Sequence, residues 1–447
     1  MWWRLHHSIN LSFDQPYYRP LHALFIMSHT LRTILTAALL GFSINATAEG
    51  DAYAKETLTG DWGGMRSASA AKGFEWEGAL KIDSLRNRGA RRNGTRSVNH
   101  LDIRLSMDFD KAFGWEGGSG LINIDRDGGY GLNAEHVQSL MGVSNLEVPS
   151  PTTTRFLHAW VQQSLLDERL SILAGIYPVD SEFQVMDSAG VFLKPEYGPT
   201  AEFSQTRGPS IFNNAAFGIR SRLSSSDKSL YAQWALMDGI PNDPNQPKRT
   251  RIRFDDNDGA FNMVEIGWLP EAGNDAYKGH AKLAFGLWGY TVRENDQLDV
   301  ANIDAGNRVD PARKQRQHGA YLFGERTVLR MGEDRFISLF GRYSKSDGDS
   351  TSIQNAISAG VHVKGPFASR SEDVLGLAWS RAGVSSKWRA AQTVGTDDAE
   401  AAIELTYRFV ITPWLAIQPS YQRIVNPGAI ASVSDSRILG MRLDFAL

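Results

Sequence analysis

The sequence predicts an all-β transmembrane antiparallel β-barrel of about 16 strands, preceded by a short N-terminal helical segment. Three observations predict it. From residue 74 onward, apolar and polar residues alternate through segment after segment, the period-2 pattern of strands with one apolar and one polar face. The connections alternate long and short, as they do when tight turns lie on one side of a membrane and long loops on the other. No run of roughly 18 apolar residues exists, so no helix spans a bilayer, whereas a closed barrel satisfies every backbone group within lipid.

The 447 residues include 42 Gly, carry a formal net charge of −3 and are 22% charged. Such a chain is neither disordered nor basic enough for a nucleic-acid partner. The lack of Cys removes disulfides, thiolate metal sites and Cys nucleophiles together. From Met27 the chain reads MSHTLRTILTAALLGFSINATAEG. Arg32 supplies a basic start, Ile34 to Ile44 an apolar stretch, and Ala46-Thr47-Ala48 a small-residue cleavage site. Residues 27–48 are therefore predicted to be a secretory signal peptide, and 1–26 a mis-assigned upstream leader, with Met27 the true start. Residues 49–73 form an N-terminal segment in which TGDWGGMRSASAAKG (59–73) predicts a helix from about Gly63 to Lys72. The barrel takes 74–447.

Strands are predicted at about 74–84, 98–110, 119–127, 155–166, 169–177, 215–224, 229–237 and 261–269. The second half adds 280–291, 318–330, 335–343, 357–365, 373–383, 400–411, 415–424 and 436–447. Alternation is clearest in 98–110, where Leu101, Ile103, Leu105, Met107 and Phe109 oppose His100, Asp102, Arg104, Ser106 and Asp108. It is ambiguous in 318–330 and 373–383. Long connections are expected at 85–97, 128–154, 178–214, 238–260, 292–317, 344–356, 384–399 and 425–435. Tight ones include Asp167-Glu168, Ser225 to Lys228, Met331 to Asp334 and Thr412 to Trp414. Trp76, Tyr290, Tyr343, Trp379, Trp414 and Tyr421 are placed for interfacial aromatic girdles. Pro419 removes a ladder donor and implies a local bulge.

Several stretches resemble the carbohydrate-selective porins of the OprB type: LTGDWGGMRSASAAKGF (58–74), AFGWEGGSG (112–120), LAGIYPVDSEF (173–183), RSEDVLGLAWSRAGVS (371–386) and ELTYRFVITPWLAIQPSYQRIVNPG (404–428). The resemblance implies a sixteen-stranded barrel in the bacterial outer membrane that passes sugars by facilitated diffusion. The chain departs from the family pattern in VFLKPEYGP (191–199), where Lys194 and Glu196 bring charge into a loop.

A sugar offers hydroxyls and an apolar ring face, so a selective pore wants fixed hydrogen-bonders and aromatic surfaces with weak binding. By parity, the lumen-facing arginines are Arg104, Arg220, Arg222, Arg342, Arg408 and Arg442. Acidic residues facing the same way include Glu75, Asp102, Asp108, Asp125, Glu265, Glu404 and Asp444, and the lumenal aromatics are Trp160 and Phe340. Most such charges in any porin merely solvate the wall. The longest loop, 178–214, is expected to fold into the lumen, bringing Asp180, Glu182, Phe183, Phe192 and Phe203 to the constriction. Replacing Arg342 or Arg408 is expected to alter flux more than stability.

Other motifs carry less. NIDRDG (123–128) opens like a calcium loop, but Ala134 stands where the closing acid belongs. DDNDG (255–259) reads as a solvated turn. The histidines lack paired metal-ligand spacing, and no cofactor or metal is expected. Three function classes fit beside a sugar channel: a general diffusion porin, a barrel enzyme needing His158 or His280 as base, and a soluble exported sugar-binding protein. Small sugars and outer-membrane lipid are the expected partners, and a monomer and a trimer fit the sequence equally.

Overall fold

The computed structural model describes residues 52–148, 152–270, 281–307, 310–332 and 334–447. The predicted leader and signal peptide, and His280, lie outside these residues. The strands are β1 Phe74–Gly89, β2 Gly94–Asp108, β3 Gly118–Gly129, β4 Thr152–Leu165, β5 Leu170–Tyr177, β6 Ala216–Ser224, β7 Leu230–Asp238 and β8 Ala260–Trp268. They continue as β9 Ala281–Asn295, β10 Lys314–Arg330, β11 Phe336–Ser346, β12 Ile353–Lys364, β13 Val374–Val384, β14 Ala399–Thr412, β15 Leu415–Val425 and β16 Ser436–Ala446. Each pairs antiparallel with its sequence neighbour, and β1 pairs with β16 from Ala79↔Ala446 to Gly89↔Ser436, closing the barrel. Closure leaves no edge strand.

The molecule is inside out relative to a soluble fold. Ile103, Ile124, Phe217, Ile219, Trp234, Ile266, Leu339, Leu377, Ile403 and Leu439 are exposed on the outer wall. Their strand neighbours Asp102, Asp125, Arg220, Gln233, Glu265 and Glu404 are buried within. Water-soluble chains do not expose an apolar belt of this extent, which excludes the soluble binding-protein reading. Both ambiguous segments are strands: β13 turns Leu377 and Trp379 outward and keeps Ala378, Ser380 and Ala382 inside. Tyr343, Trp379 and Tyr421 are exposed among the girdle candidates, but Tyr290 points inward, where its hydroxyl meets Thr206 Oγ1 at 3.0 Å.

Several boundaries differ from the sequence expectation. The first connection is only 90–93, because β1 and β2 stay paired to Asn87↔Gly94 and turn through Gly89 and Ala90, both with positive φ. β2 stops at Asp108, whose carboxylate caps the short helix Phe109–Phe113; Phe109 then stacks on Trp115 rather than extending the strand face. At Pro419 there is no bulge. The β14–β15 ladder skips from Thr406↔Ser420 to Phe409↔Ile417, so the missing N–H falls where no pair is made. A bulge between β3 and β4 shifts register at Leu157, so that both Arg155 and His158 stand opposite lumenal residues of β3, Asp125 and Asn123.

The N-terminal segment is fastened to the tight-turn end. A turn through Trp62–Gly64 leads into the helix Met65–Ala70. Arg66 is buried there and donates to the carbonyls of Trp76 and Leu447 and to Thr57 Oγ1. Leu58 N–H donates to Ala446 O at 2.8 Å. One guanidinium thus ties the lead-in to both strands of the barrel seam.

Candidate functional site

Among the described residues, two connections turn into the lumen. The segment 178–215, between β5 and β6, lies against the inner face of β8, β10, β11, β14 and β15. A buried loop must find partners for its backbone groups, and here the wall supplies them as carboxylates. Glu265 on β8 accepts from Gln184 N–H at 3.0 Å. Glu325 on β10 accepts from the N–H groups of Asp187 and Ser188 at 3.1 and 2.8 Å. Glu404 on β14 accepts from Leu193 and Lys194 N–H at 2.8 and 3.0 Å. Donors complete the set: Arg342 on β11 donates to the carbonyls of Glu196 and Gly198, and Gln418 on β15 donates to Val191 O at 2.6 Å. The expected infolding is therefore realised.

The second lumenal connection, between β3 and β4, was not anticipated. Glu400 on β14 accepts from the N–H groups of Leu140 and Met141 at 2.8 and 3.2 Å, and Gln422 donates to Val143 O at 2.9 Å. The two loops also join each other: Asn145 N–H donates to Leu193 O at 2.7 Å, and the buried Lys194 Nζ donates to Gly142 O at 2.6 Å. Burial lowers the Lys194 pKa, with the surrounding glutamates opposing. Burial pushes Glu147 up to about 7 against the N–H groups of Asn133 and Leu132 that it accepts. Burial likewise raises Glu196 to about 8, with Arg342 at 3.5 Å opposing.

This architecture sorts the predicted site residues. Arg220 is buried and saturated by Glu182, Gln162 and Ser171. Arg442 is buried and bidentate to Asp83, with a further bond to Asn145. Arg342 and Glu265 are buried loop clamps, as above. Asp180 joins the ends of its own loop by accepting from Phe212 N–H at 3.0 Å, and burial raises its pKa to about 6. Phe183, Phe192 and Phe203 do not line a constriction. They are almost fully buried between loop and wall, in an apolar cluster with Tyr197, Trp288 and Phe340. For the strand arginines and Glu265, parity gave the direction of the side chain but could not reveal the loop that covers it.

A smaller set stays open to water, toward the tight-turn half of the lumen. Arg104 has 43% of its side chain exposed while holding Asp102 at 3.0 Å. Arg408 has 33% exposed and pairs with Asp444 at 3.1 Å. Arg222 is half-buried, with its guanidinium 4.0 Å from the Tyr231 ring centroid. Glu182 is partly exposed, and Trp160 is half-buried with Nε1 donating to His158 Nδ1 at 3.2 Å. Glu75 and Glu77 are exposed on β1, and Glu77 stands directly opposite Arg104. Glu77 was missed from sequence, although the parity that selected Glu75 selects it equally. The array can donate and accept hydrogen bonds around a neutral polar solute. It contains no nucleophile poised beside a base, and His158 is buried against Trp160.

A family model described as carbohydrate-selective porin, OprB family, matches residues 92–447. Porin B of Pseudomonas aeruginosa is 23% identical over 446 residues, an alignment covering 92% of this chain and 95% of that protein. The high-pH structure of Pseudomonas putida OprB superposes with a TM-score of 0.79 at 18% identity, covering 89% of this chain and 100% of that one. Its low-pH structure gives 0.56 at 17% identity, covering 90% and 100%. At these identities the structural likenesses establish the fold.

Proposed function

The chain belongs to the carbohydrate-selective porins of the OprB family, and from that premise we propose that Arg104, Arg222 and Arg408, with Trp160 and the exposed Glu77, are the solute contacts of its sugar channel. The protein is an outer-membrane barrel through which sugars pass, and it is not an enzyme. Flux is passive, driven by the solute gradient. Small sugars and polyols are the proposed cargo.

One observation supports this assignment. The other predicted lumenal arginines are consumed by the wall and the loops, whereas these three guanidiniums keep free surface in the open part of the lumen. A guanidinium offers five donors in a rigid fork, which suits adjacent sugar hydroxyls. The half-buried Trp160 offers an apolar ring surface. Because these groups stay hydrated, each contact contributes little, so binding is weak enough to release the solute.

Liposome swelling tests this with a panel of neutral sugars and charged solutes of matched size. The wild type is expected to admit the sugars faster, and the triple replacement Arg104→Ala, Arg222→Ala, Arg408→Ala is expected to erase that preference while leaving the barrel folded. Equal rates for charged and neutral solutes in the wild type would point instead to a general diffusion porin.

A further inference from the structure

We infer that His100, Asp125 and Asp127 form a binding site in the barrel wall for a transition-metal dication, Zn²⁺ or Mn²⁺. One ligand atom from each residue lies within 4.8 Å of the other two. His100 projects from β2 and the two aspartates from β3, and all three are buried. Asp127 is held in position: its Oδ2 accepts from Thr153 Oγ1 at 2.7 Å and from Asn213 Nδ2 at 2.8 Å. Its Oδ1 lies 2.8 Å from His100 Nδ1.

Asp125 is the anomaly. It is completely buried, and neither carboxylate oxygen has a hydrogen-bond partner. A buried carboxylate left bare is strongly unfavourable. None of the polar side chains around it donates a hydrogen bond to it. Asp102 faces the other side of the imidazole, 3.9 Å from His100 Nε2, and is occupied by Arg104 and Asn123. Arg155 stands opposite Asp125 on β4, but its guanidinium donates to the carbonyls of Asn213 and Pro247. His158, further along β4, receives the Trp160 indole. Asn123 Oδ1, one step along the same face of β3, is also buried and without a partner.

A divalent ion resolves this arrangement. Two carboxylates and one neutral imidazole carry two negative charges, so the ion makes the set neutral. Carboxylates suit Ca²⁺, Mg²⁺ or Mn²⁺ and an imidazole suits Zn²⁺, so the mixed set favours Zn²⁺ or Mn²⁺ over Ca²⁺. Ligand atoms bonded at about 2.1 Å to one tetrahedral ion stand about 3.4 Å apart, so His100 Nδ1 and Asp127 Oδ1, 2.8 Å apart, would part by a few tenths of an ångström to admit it. The alternating Asn123, Asp125 and Asp127 of the NIDRDG stretch thus form one face of a strand, not the rim of a calcium loop. The site also touches the returning end of the infolded loop. Asn213 bonds Asp127, and the Phe212 ring meets His100 edge-on at 5.2 Å. A bound ion would fasten the foot of that loop to the wall.

The test is titration of tag-free, chelator-stripped full-length barrel in detergent with Zn²⁺, Mn²⁺ and Ca²⁺ by isothermal calorimetry. The expected result is one Zn²⁺ or Mn²⁺ per chain, Ca²⁺ at least about tenfold weaker, and about 100-fold weaker binding in Asp125→Asn. Retained heat-modifiable migration shows that the variant is folded. If Asp125→Asn does not fold, His100→Gln takes its place with the same expectation. Absence of saturable one-to-one binding in the wild type overturns the inference. So does a variant that binds like the wild type, or Ca²⁺ binding tighter than both other ions.

Discussion

Glu404→Ala is the sharpest probe of how the lumen is built. Glu404 is fully buried on β14 and accepts the N–H groups of Leu193 and Lys194. Truncation leaves both donors inside the barrel without an acceptor. Each buried unsatisfied donor costs about 1–3 kcal/mol, so docking of the 191–196 stretch should weaken by about 2–6 kcal/mol. At about 1.4 kcal/mol per factor of ten, the docked-to-released ratio falls by about 30-fold to more than 10⁴-fold. The ladder hydrogen bonds of β14 are untouched, and the clamps at Glu265 and Glu325 still hold residues 184–188. The expected outcome is local: faster hydrogen–deuterium exchange in the peptide around 189–199, larger and noisier single-channel conductance, and unchanged heat-modifiable migration. Glu404→Gln keeps one acceptor oxygen and should fall between. Wild-type exchange and conductance in Glu404→Ala would refute the view that wall carboxylates hold the loop.

Arg342→Ala should loosen the same loop, because its guanidinium serves the carbonyls of Glu196 and Gly198. Stability is thus expected to fall along with selectivity: conductance rises, size discrimination falls and the onset of thermal unfolding drops, as melting and swelling assays would show. Arg408→Ala, whose side chain faces water beside Asp444, should slow sugar swelling severalfold with the melting midpoint nearly unchanged. The loops should also respond to pH. Glu147 and Glu196 are raised by burial to about 7 and about 8, so the docked state holds protons that the released state gives up near the ordinary carboxylate value. Their contribution to docking is then fully present below about pH 4.5, weakens as pH rises and is lost progressively through about pH 8. Conductance should therefore increase from pH 5 to pH 9, and Glu196→Gln should flatten that profile.

How much of this was legible in the sequence follows from what alternation encodes. Period-2 patterning states which way a side chain points, so the strand count and the lumenal direction of Arg104, Arg220, Arg342, Arg408 and Arg442 could be read directly. It is silent on what lies over each side chain. Arg342 and Arg408 look equivalent in sequence, yet one is buried under the loop and the other faces water. The roles of Glu325 and Glu400 were missed for the same reason: each serves backbone N–H groups more than a hundred residues away in the chain. Phe183 and Phe203 were assigned to the pore because a loop aromatic carries no parity to show whether it packs beneath the loop or stands above it. In the NIDRDG stretch, alternation turned Asp125 to the lumen but carried no register, and it is the register that sets Asp127 opposite His100 and beside Thr153.

The most direct measurement is the ion current through single channels in a planar bilayer as a neutral sugar is added on one side. Weak contacts at Arg104, Arg222 and Arg408 predict a saturable, reversible block that disappears in the triple alanine variant. A current that falls only in proportion to bulk viscosity, with no saturation and no difference between wild type and variant, would contradict the account.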